Sequence, residues 1–383
     1  MITKFNAKLI ENFKEYDRLS KKYDLSIGEI LQIDLNRCGI YLENGEVRID
    51  FRVRFKGQIL DDYETWYALP SRNKGDTPFS LKDSEIYCFG TKIGTYKDIY
   101  LDTCESSYQR GPNLLNLNSR SRSSCGGCTA CVHNYHNFYD STVLKDKKQL
   151  FTENDIENFY NEKNIDVASL VQIAVVTGLF KNENETVEHL KRIKDVSSKR
   201  GFDGELMYFG CQINSDKALK DISDLGNVLL IYALDNFTKR EMLLSKTKSL
   251  ITIETARDTL LRARTHGINT SISYISGIDS LKDMRKGFTL IKDSITRFPI
   301  INIYQIQTPQ QAKILNEEAF DLEFYLRSRQ ELENIFKDTD LKPKRWENYR
   351  PLWYKYYNNE ELPNNAFGQL EKIKRRVNNG RID

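Results

Sequence analysis

The sequence predicts an α/β fold, with a smaller α+β or β-rich domain ahead of a longer array of alternating strands and helices. Three observations predict it. Six strand–helix units follow one another from about Asn113 onward. Their strands include continuous β-branched runs such as SLVQIAVVTG, as expected where both faces of a parallel strand are buried. The first 110 residues lack this repetition and carry short strands separated by glycine turns instead.

Taken in order, residues 5–23 read as a helix, and GIYLENGEVRIDFRVRF then alternates around Asn44-Gly45, a hairpin signal. Short strands continue through SEIYCFGTKIGTYKDIYLDTC. NLLNLN is the first strand of the array and runs straight into SSCGGCTACVHNYH. The next helix opens at FTENDIENFYNEK, with Thr152 as N-cap and Asp155 three residues on. The units after it are strand SLVQIAVVTG with helix ETVEHLKRIKDVSSKR, strand GELMYFG, strand NVLLIYAL with helix IETARDTLLRARTHG, and strand NTSISYISG with helix SLKDMRKGFTLIKDSI. Strand PIINIYQIQ and helix EEAFDLEFYLRSRQELENIF end the array. Such repetition gives right-handed crossovers, as an open doubly wound sheet or a partial (β/α)6 barrel. The expected divisions are 1–110, 111–337 and a C-terminal aromatic and basic extension, 338–383.

Composition narrows the classes of function. In 383 residues, 39% hydrophobic and 11% aromatic content permits a sizeable core. The 57 basic and 54 acidic residues are interspersed, which argues against a nucleic-acid binder. The N-terminal residues form no secretory h-region, no run is long enough to span a membrane, and seven cysteines fit a reducing compartment. A cytoplasmic protein is expected.

Cys125, Cys128 and Cys131 are packed into seven residues, at the strand ends where α/β folds gather chemistry. C-x2-C-x2-C spacing suits an iron–sulfur cluster, yet Tyr135 stands where a bacterial ferredoxin continues with its next cysteine. His133 or His136 completing a Cys3His zinc site is the alternative. The best chemical reading is a [4Fe–4S] cluster held through three irons, with the fourth iron open to a ligand.

A three-cysteine loop after the first strand of a six-fold (β/α) array resembles the radical S-adenosylmethionine (AdoMet) superfamily, over about residues 110–335. The resemblance implies a partial (β/α)6 TIM-like barrel, a [4Fe–4S] cluster that binds and reductively cleaves AdoMet, and a 5′-deoxyadenosyl radical that abstracts hydrogen from a small-molecule or peptide substrate. It also implies an external reductant such as flavodoxin or ferredoxin. Two departures stand out. Ser124 occupies the place of the first cysteine in the common C-x3-C-x2-C loop, and Ala130 replaces the usual aromatic residue before the last.

Within the superfamily the array looks most like the biotin synthase and lipoyl synthase branch. That likeness places Asp235 on the AdoMet ribose and Lys248 on its carboxylate, with Lys246 a rival. Thr177 and Gly178 stand where Gly-Gly-Glu usually holds the amino group, Gly277 lies near the adenine, and Gln305 and Gln307 face the ligand. Leu206 and Ser271 occupy two positions where biotin synthase has cluster-binding cysteines, so sulfur insertion is disfavoured. An auxiliary cluster from Cys38, Cys88, Cys104 and Cys211 is a further alternative. Cys211, just past the third strand, is the candidate catalytic thiol, returning hydrogen to a product radical. The aromatic run around Trp346 and Trp353 is read as a staple against the N-terminal domain. Two other classes remain beside the enzyme: an iron–sulfur redox sensor or cluster carrier, and a zinc-stabilised nucleic-acid-binding module.

Overall fold

The computed structural model describes residues 8–43, 48–55, 63–101, 107–109, 113–119, 127–129, 131, 150, 152–344 and 347–363. Asn44-Gly45, Cys104, Cys125, Ala130, His133, His136 and Trp346 lie outside the described residues.

Two helices lead the chain, α1 (Phe13–Tyr23) and α2 (Ile27–Cys38). The side chain of Ser26 caps α2 by accepting the Glu29 N–H at 3.2 Å. Eleven consecutive residues of α2, Gly28–Cys38, are buried, including Glu29, Asp34 and Arg37. A helix buried on every side must pair its charges internally. Asp34 accordingly accepts Arg37 Nε at 2.8 Å and the Tyr16 hydroxyl at 2.6 Å. Sequence periodicity identifies one helix here; α2 lacks the polar face that marks a surface helix, so its pattern is not legible.

A six-stranded closed barrel follows, built from β1 (Ile40–Tyr41), β2 (Arg48–Phe55), β3 (Tyr63–Arg72), β4 (Phe79–Lys82), β5 (Glu85–Cys88) and β6 (Thr91–Leu101), in the order β1-β3-β2-β6-β5-β4. Buried Leu69, Phe79, Leu81, Ile86 and Ile93 belong to its core. The hairpin expected around Asn44-Gly45 is not how its flanks pair. β1 runs parallel to β3 and β4, while β2 pairs antiparallel with β3 and β6. Gly39 explains the placement of β1: it has φ +76, and a Cβ there would lie 2.4 Å from the Pro70 carbonyl. The chain leaving α2 therefore packs tightly against β3.

The second sheet has the order β13-β12-β11-β10-β9-β8-β7. It comprises β7 (Tyr108–Gln109), β8 (Leu114–Leu117), β9 (Gln172–Val176), β10 (Glu205–Gly210), β11 (Val228–Asp235), β12 (Asn269–Ser276) and β13 (Ile300–Ile303). β8 to β13 are all parallel, and β7 adds one antiparallel pairing at the edge. This is a six-stranded parallel half-barrel, a partial TIM-like fold. Between its strands run α3 (Glu153–Glu162), α4 (Glu183–Lys199), α5 (Asp216–Ser223), α6 (Arg240–Leu243), α7 (Lys246–Ser249), α8 (Ile253–Thr265) and α9 (Leu281–Ile291). After β13 come α10 (Pro309–Ala312) and α11 (Leu322–Phe336). The capping box at Thr152 and Asp155 forms as the sequence predicts.

Alternation along each strand separates two apolar surfaces. Ile173, Leu206, Leu230 and Ile272 join the core shared with the helices, while Ala174, Met207, Leu229, Ile231 and Ile300 form a second cluster on the other face. Burial on both faces is why the strands read as unbroken apolar runs.

Past α11 the chain returns to the sheet. Asn348 Oδ1 accepts the Ile301 N–H at 2.8 Å and the Arg350 carbonyl accepts that of Ile303 at 2.8 Å, covering the β13 edge. The aromatic run packs against the N-terminal domain. Tyr354 stacks on Tyr67, with centroids 5.9 Å apart, and its hydroxyl meets Asn36. Short strands β14 (Tyr356–Tyr357) and β15 (Glu360–Glu361) end the described chain.

Candidate functional site

The candidate site lies at the C-terminal ends of the parallel strands. β8 delivers the cysteine loop from one side of the half-barrel, but the loop docks three strands away, on the segment after β11. Thr129 N–H donates to the Leu243 carbonyl at 2.8 Å, and Ser245 N–H donates to Cys128 Sγ at 3.3 Å. Cys131 N–H closes a turn onto the Cys128 carbonyl at 2.9 Å. Cys128 and Cys131 are both half-buried.

That docking segment is held by Arg240. Its guanidinium donates to the carbonyls of Leu234 and Asn236 at 2.6 Å each, and to those of Lys248 and Ile251 at 2.9 Å each. Asp279 supplies the second tether, accepting the Phe237 N–H at 2.8 Å and the Thr238 N–H at 3.0 Å. Burial pushes the Asp279 carboxyl above its ordinary range, and the Thr238 hydroxyl and these N–H groups pull it back.

Asp235 ends β11 at a register shift, with φ +68. Aspartate tolerates this left-handed conformation better than most residues, and such irregularities re-aim a side chain. Its carboxylate accepts Ser273 Oγ at 3.0 Å and pairs with Lys248 Nζ. Burial alone would raise the Asp235 carboxyl; the Lys248 ammonium, with hydrogen bonds from Lys248 and Ser273, overcomes this and holds it low. For Lys248, burial would lower the ammonium, and the neighbouring Asp235 carboxylate raises it well above its usual range. Lys246 is exposed.

Cys211 follows β10 and is 3% exposed. Burial pushes its thiol up to about 11 against the pull of Lys248, so it is S–H near neutral pH. Asp235, Cys128 and Arg240 are within its electrostatic reach as well, so one neighbourhood holds Cys128, Cys211, Asp235 and Lys248. Beside it, Gln212 clamps the loop after β9, accepting the Phe180 N–H at 2.7 Å and donating to its carbonyl at 2.9 Å. Thr177, half-buried, and Gly178, buried, open that loop.

No protein-family model matches this chain, and no curated protein matches it. Among solved structures it is similar to the FeFe-hydrogenase maturase HydG from Carboxydothermus hydrogenoformans, at 13% identity and a TM-score of 0.41 over 70% of this chain and 66% of that one. It is similar to SuiB of Streptococcus suis bound to S-adenosylmethionine, at 10% identity and 0.41 over 60% and 51%. A third is coproporphyrinogen III oxidase HemN from Escherichia coli, described as a radical SAM enzyme, at 14% identity and 0.37 over 59% and 53%. The chain spans between about half and two thirds of these structures' lengths. Likenesses this faint carry no weight of their own, and function must be read from the chain's own residues.

The remaining sequence-derived candidates follow β12 and β13 or belong to the N-terminal region. Gly277, φ +114, faces the Tyr325 hydroxyl, which would lie 2.8 Å from a Cβ. Gln305 Nε2 donates to the carbonyls of Asn36 and Ala68 at 3.0 Å each, joining the half-barrel to the N-terminal domain. Gln307 N–H donates to Gln311 Oε1 at 2.9 Å, and its own Nε2 is buried with no partner among the described residues. Cys38 and Cys88 lie apart from Cys211, in the N-terminal domain near Asp34 and Tyr16. Among the described residues no three His, Cys, Asp or Glu side chains converge as a metal site. Ser245, Ser273, Arg240, Asp279 and Gln212 were not singled out by the sequence. Only Arg240 and Asp279 carried any signal, as charged residues beside buried strand ends.

Proposed function

We propose that this protein is a radical AdoMet enzyme, in which Cys125, Cys128 and Cys131 hold a [4Fe–4S] cluster and Asp235, Lys248, Thr177 and Gly178 bind AdoMet. One observation carries the reading: the cysteine loop crosses from β8 to β11 and docks where the Asp235–Lys248 pair lies. The donor set fits the group. Two half-exposed thiols, one already accepting an N–H, suit iron–sulfur ligation. A carboxylate beside an ammonium suits a zwitterion that also carries ribose hydroxyls.

Bound there, the cluster and AdoMet would supply reductive cleavage and hydrogen-abstracting radical chemistry. The chain's own part is to position and to shield. Ser245 N–H steadies the Cys128 sulfur, Arg240 and Asp279 fix the docking segment, and Ser273 orients the Asp235 carboxylate. Lys248 offers a buried cation to the AdoMet carboxylate. Cys211, protonated and buried, is assigned the role of giving up a hydrogen atom to a product radical. Gly277 is assigned to the adenine and Gln305 and Gln307 to the ligand side of the mouth after β13, although the Gln305 amide also binds the Asn36 and Ala68 carbonyls. The substrate is a small molecule or a peptide, and the electron comes from an external donor such as flavodoxin or ferredoxin.

Anaerobic reconstitution tests the reading. The expected product contains about four iron and four sulfide per chain and forms 5′-deoxyadenosine from AdoMet on reduction with dithionite. A fully reconstituted protein that forms none overturns it. Retention of zinc in air, without cluster absorption, would point to the zinc-bound module instead. In Cys125→Ala, cluster assembly and AdoMet cleavage are both lost; their survival would displace Cys125 as a ligand.

A further inference from the structure

Of the chain's four histidines, His133 and His136 lie outside the described residues and His266 follows the end of α8. His189 is the one buried among the described residues, 2% exposed. It stands on α4 beside Leu190 and Ile193, on the face turned to the core. Packing alone asks for an apolar side chain there, and an imidazole costs free energy unless its polar atoms are paired. Its Nε2 lies 2.6 Å from the hydroxyl of Ser119, which is itself fully buried. Ser119 stands two residues past β8 and six ahead of Cys125. Its carbonyl accepts the Leu150 N–H at 2.8 Å, so the stretch that carries all three cysteines leaves from Ser119 and returns to it. His189 makes a second contact. Its ring packs against that of Phe180, with centroids 5.0 Å apart. Phe180 belongs to the loop that Thr177 and Gly178 open, and Gln212 holds both of its main-chain polar groups.

From this we propose that His189 is a positioning residue with two separable roles: its Nε2 fixes the root of the cysteine loop through Ser119, and its ring fixes the loop after β9 through Phe180. The inference rests on the cluster and AdoMet assignments made above. Both ends of the cysteine stretch meet at Ser119, so whatever fixes Ser119 fixes the frame from which the thiols are presented. The stretch has a second tie on the far side of the half-barrel, where Thr129 and Cys128 meet the Leu243 carbonyl and the Ser245 N–H. A loop pinned at both places holds its thiols in one arrangement, which a rigid cluster requires. The ring contact serves the other ligand. Gln212 holds the backbone of the Phe180 loop, and the imidazole gives its side chain a wall, so Thr177 and Gly178 start from a fixed position. His189 is assigned no contact with the cluster or with AdoMet, and it acts only through Ser119 and Phe180.

The test separates the two roles by substitution in the reconstituted, full-length holoprotein. His189→Phe keeps a ring for Phe180 and removes the nitrogen that faces Ser119; His189→Gln keeps an amide for Ser119 and removes the ring. Ser119→Ala breaks the same bond from its other end by deleting one oxygen, and so carries that arm should His189→Phe fold poorly. Two quantities are read: iron lost to a chelator, followed as decay of the cluster absorption, and AdoMet affinity by calorimetry. His189→Phe and Ser119→Ala are each expected to lose iron about tenfold faster than the parent, with AdoMet affinity within about twofold, because each leaves a buried polar group unpaired at the loop root. The double variant should lose iron no faster than either single one, since the bond can be broken only once. His189→Gln should lose iron within about twofold of the parent rate and bind AdoMet about threefold or more weakly, the ring contact being gone. A histidine that only supports the fold would move both readouts together, in step with the thermal midpoint. That pattern, or iron loss at the parent rate in both His189→Phe and Ser119→Ala, would overturn the proposal. The iron arm needs no AdoMet. A parent that binds none, yet loses iron in this Ser119-dependent way, would keep the role at the loop root and lose the radical AdoMet reading.

Discussion

At the scale of single residues, the Asp235–Lys248 pair does most to define the site, and it is vulnerable because it is sheltered. The two side chains are 18% and 14% exposed. Removing one partner strands the other in poor solvent, which costs about 3 kcal/mol for a buried pair. Asp235→Asn is therefore expected to lower stability by about that amount in chemical denaturation, and to weaken AdoMet binding measured by calorimetry. The pH dependence follows from the sign of the shift. The folded carboxyl titrates below its ordinary 3.8, so its contribution is present above that value and is lost as pH falls through the lower, folded one. Acid unfolding of the parent should thus carry a component below pH 4 that Asp235→Asn lacks. Gly277 makes a separate case. With φ +114 and the Tyr325 hydroxyl 2.8 Å from a Cβ position, Gly277→Ala combines backbone strain with overpacking. It should cost about 2–4 kcal/mol, read as a drop in thermal midpoint.

At the scale of elements, the segment from Asp235 to Ile251 depends most on one side chain, with Asp279 as the second tether. Arg240 satisfies four carbonyls, and replacement by methionine keeps length and apolar stem while leaving those oxygens without a donor. Hydrogen exchange should accelerate across 236–251 in Arg240→Met. Iron content after reconstitution should fall with it, since the cysteine loop docks on that segment. Unchanged exchange would show that the loop holds itself. This element also marks the limit of what the sequence discloses. The six parallel strands were legible because both faces are buried, and Cys128, Asp235 and Lys248 because residue types tied to chemistry stood at strand ends. Ser245 was not legible, since its contribution is a main-chain N–H that any residue other than proline provides. α2 was hidden by burial on all sides, and the expected hairpin at Asn44-Gly45 because β1 pairs with strands much later in the chain.

At the scale of the whole molecule, three parts of the chain meet at one buried carboxylate. Glu29 of α2 accepts Arg329 Nη1 of α11 at 2.7 Å and the N–H groups of Tyr354, Lys355 and Tyr356 from the C-terminal extension. Arg329, 1% exposed, donates onward to the Leu352 and Tyr356 carbonyls at 3.2 and 2.6 Å. At the opposite ends of the strands, Glu347 closes a second network. It accepts Gln172 Nε2 at 3.3 Å and faces Arg297, which pairs with Glu205 at 2.5 Å. Residues 347–363 of the extension are thus part of the fold's core, and a chain ending at residue 340 tests this. Such a truncation frees Glu29 of three donors, leaves buried Arg329 short of two acceptors, and uncovers the Ile301 and Ile303 N–H groups on the β13 edge. Unsatisfied buried charges unfold a protein, and a bare parallel edge strand pairs with other chains. The truncated protein should aggregate, seen as light scattering at concentrations where the full chain stays clear, and Glu29→Gln should lower the unfolding free energy by about 3–5 kcal/mol without aggregation. A truncated chain with the parent's melting temperature would mean that the half-barrel and the N-terminal domain hold together without the extension. In that case the Gln305 contacts with Asn36 and Ala68, the Arg72 contact with Ile306, and the contacts of the leading helices, Arg37 with the Phe320 carbonyl, Tyr23 with Glu323 and Glu29 with Arg329, would supply the joint.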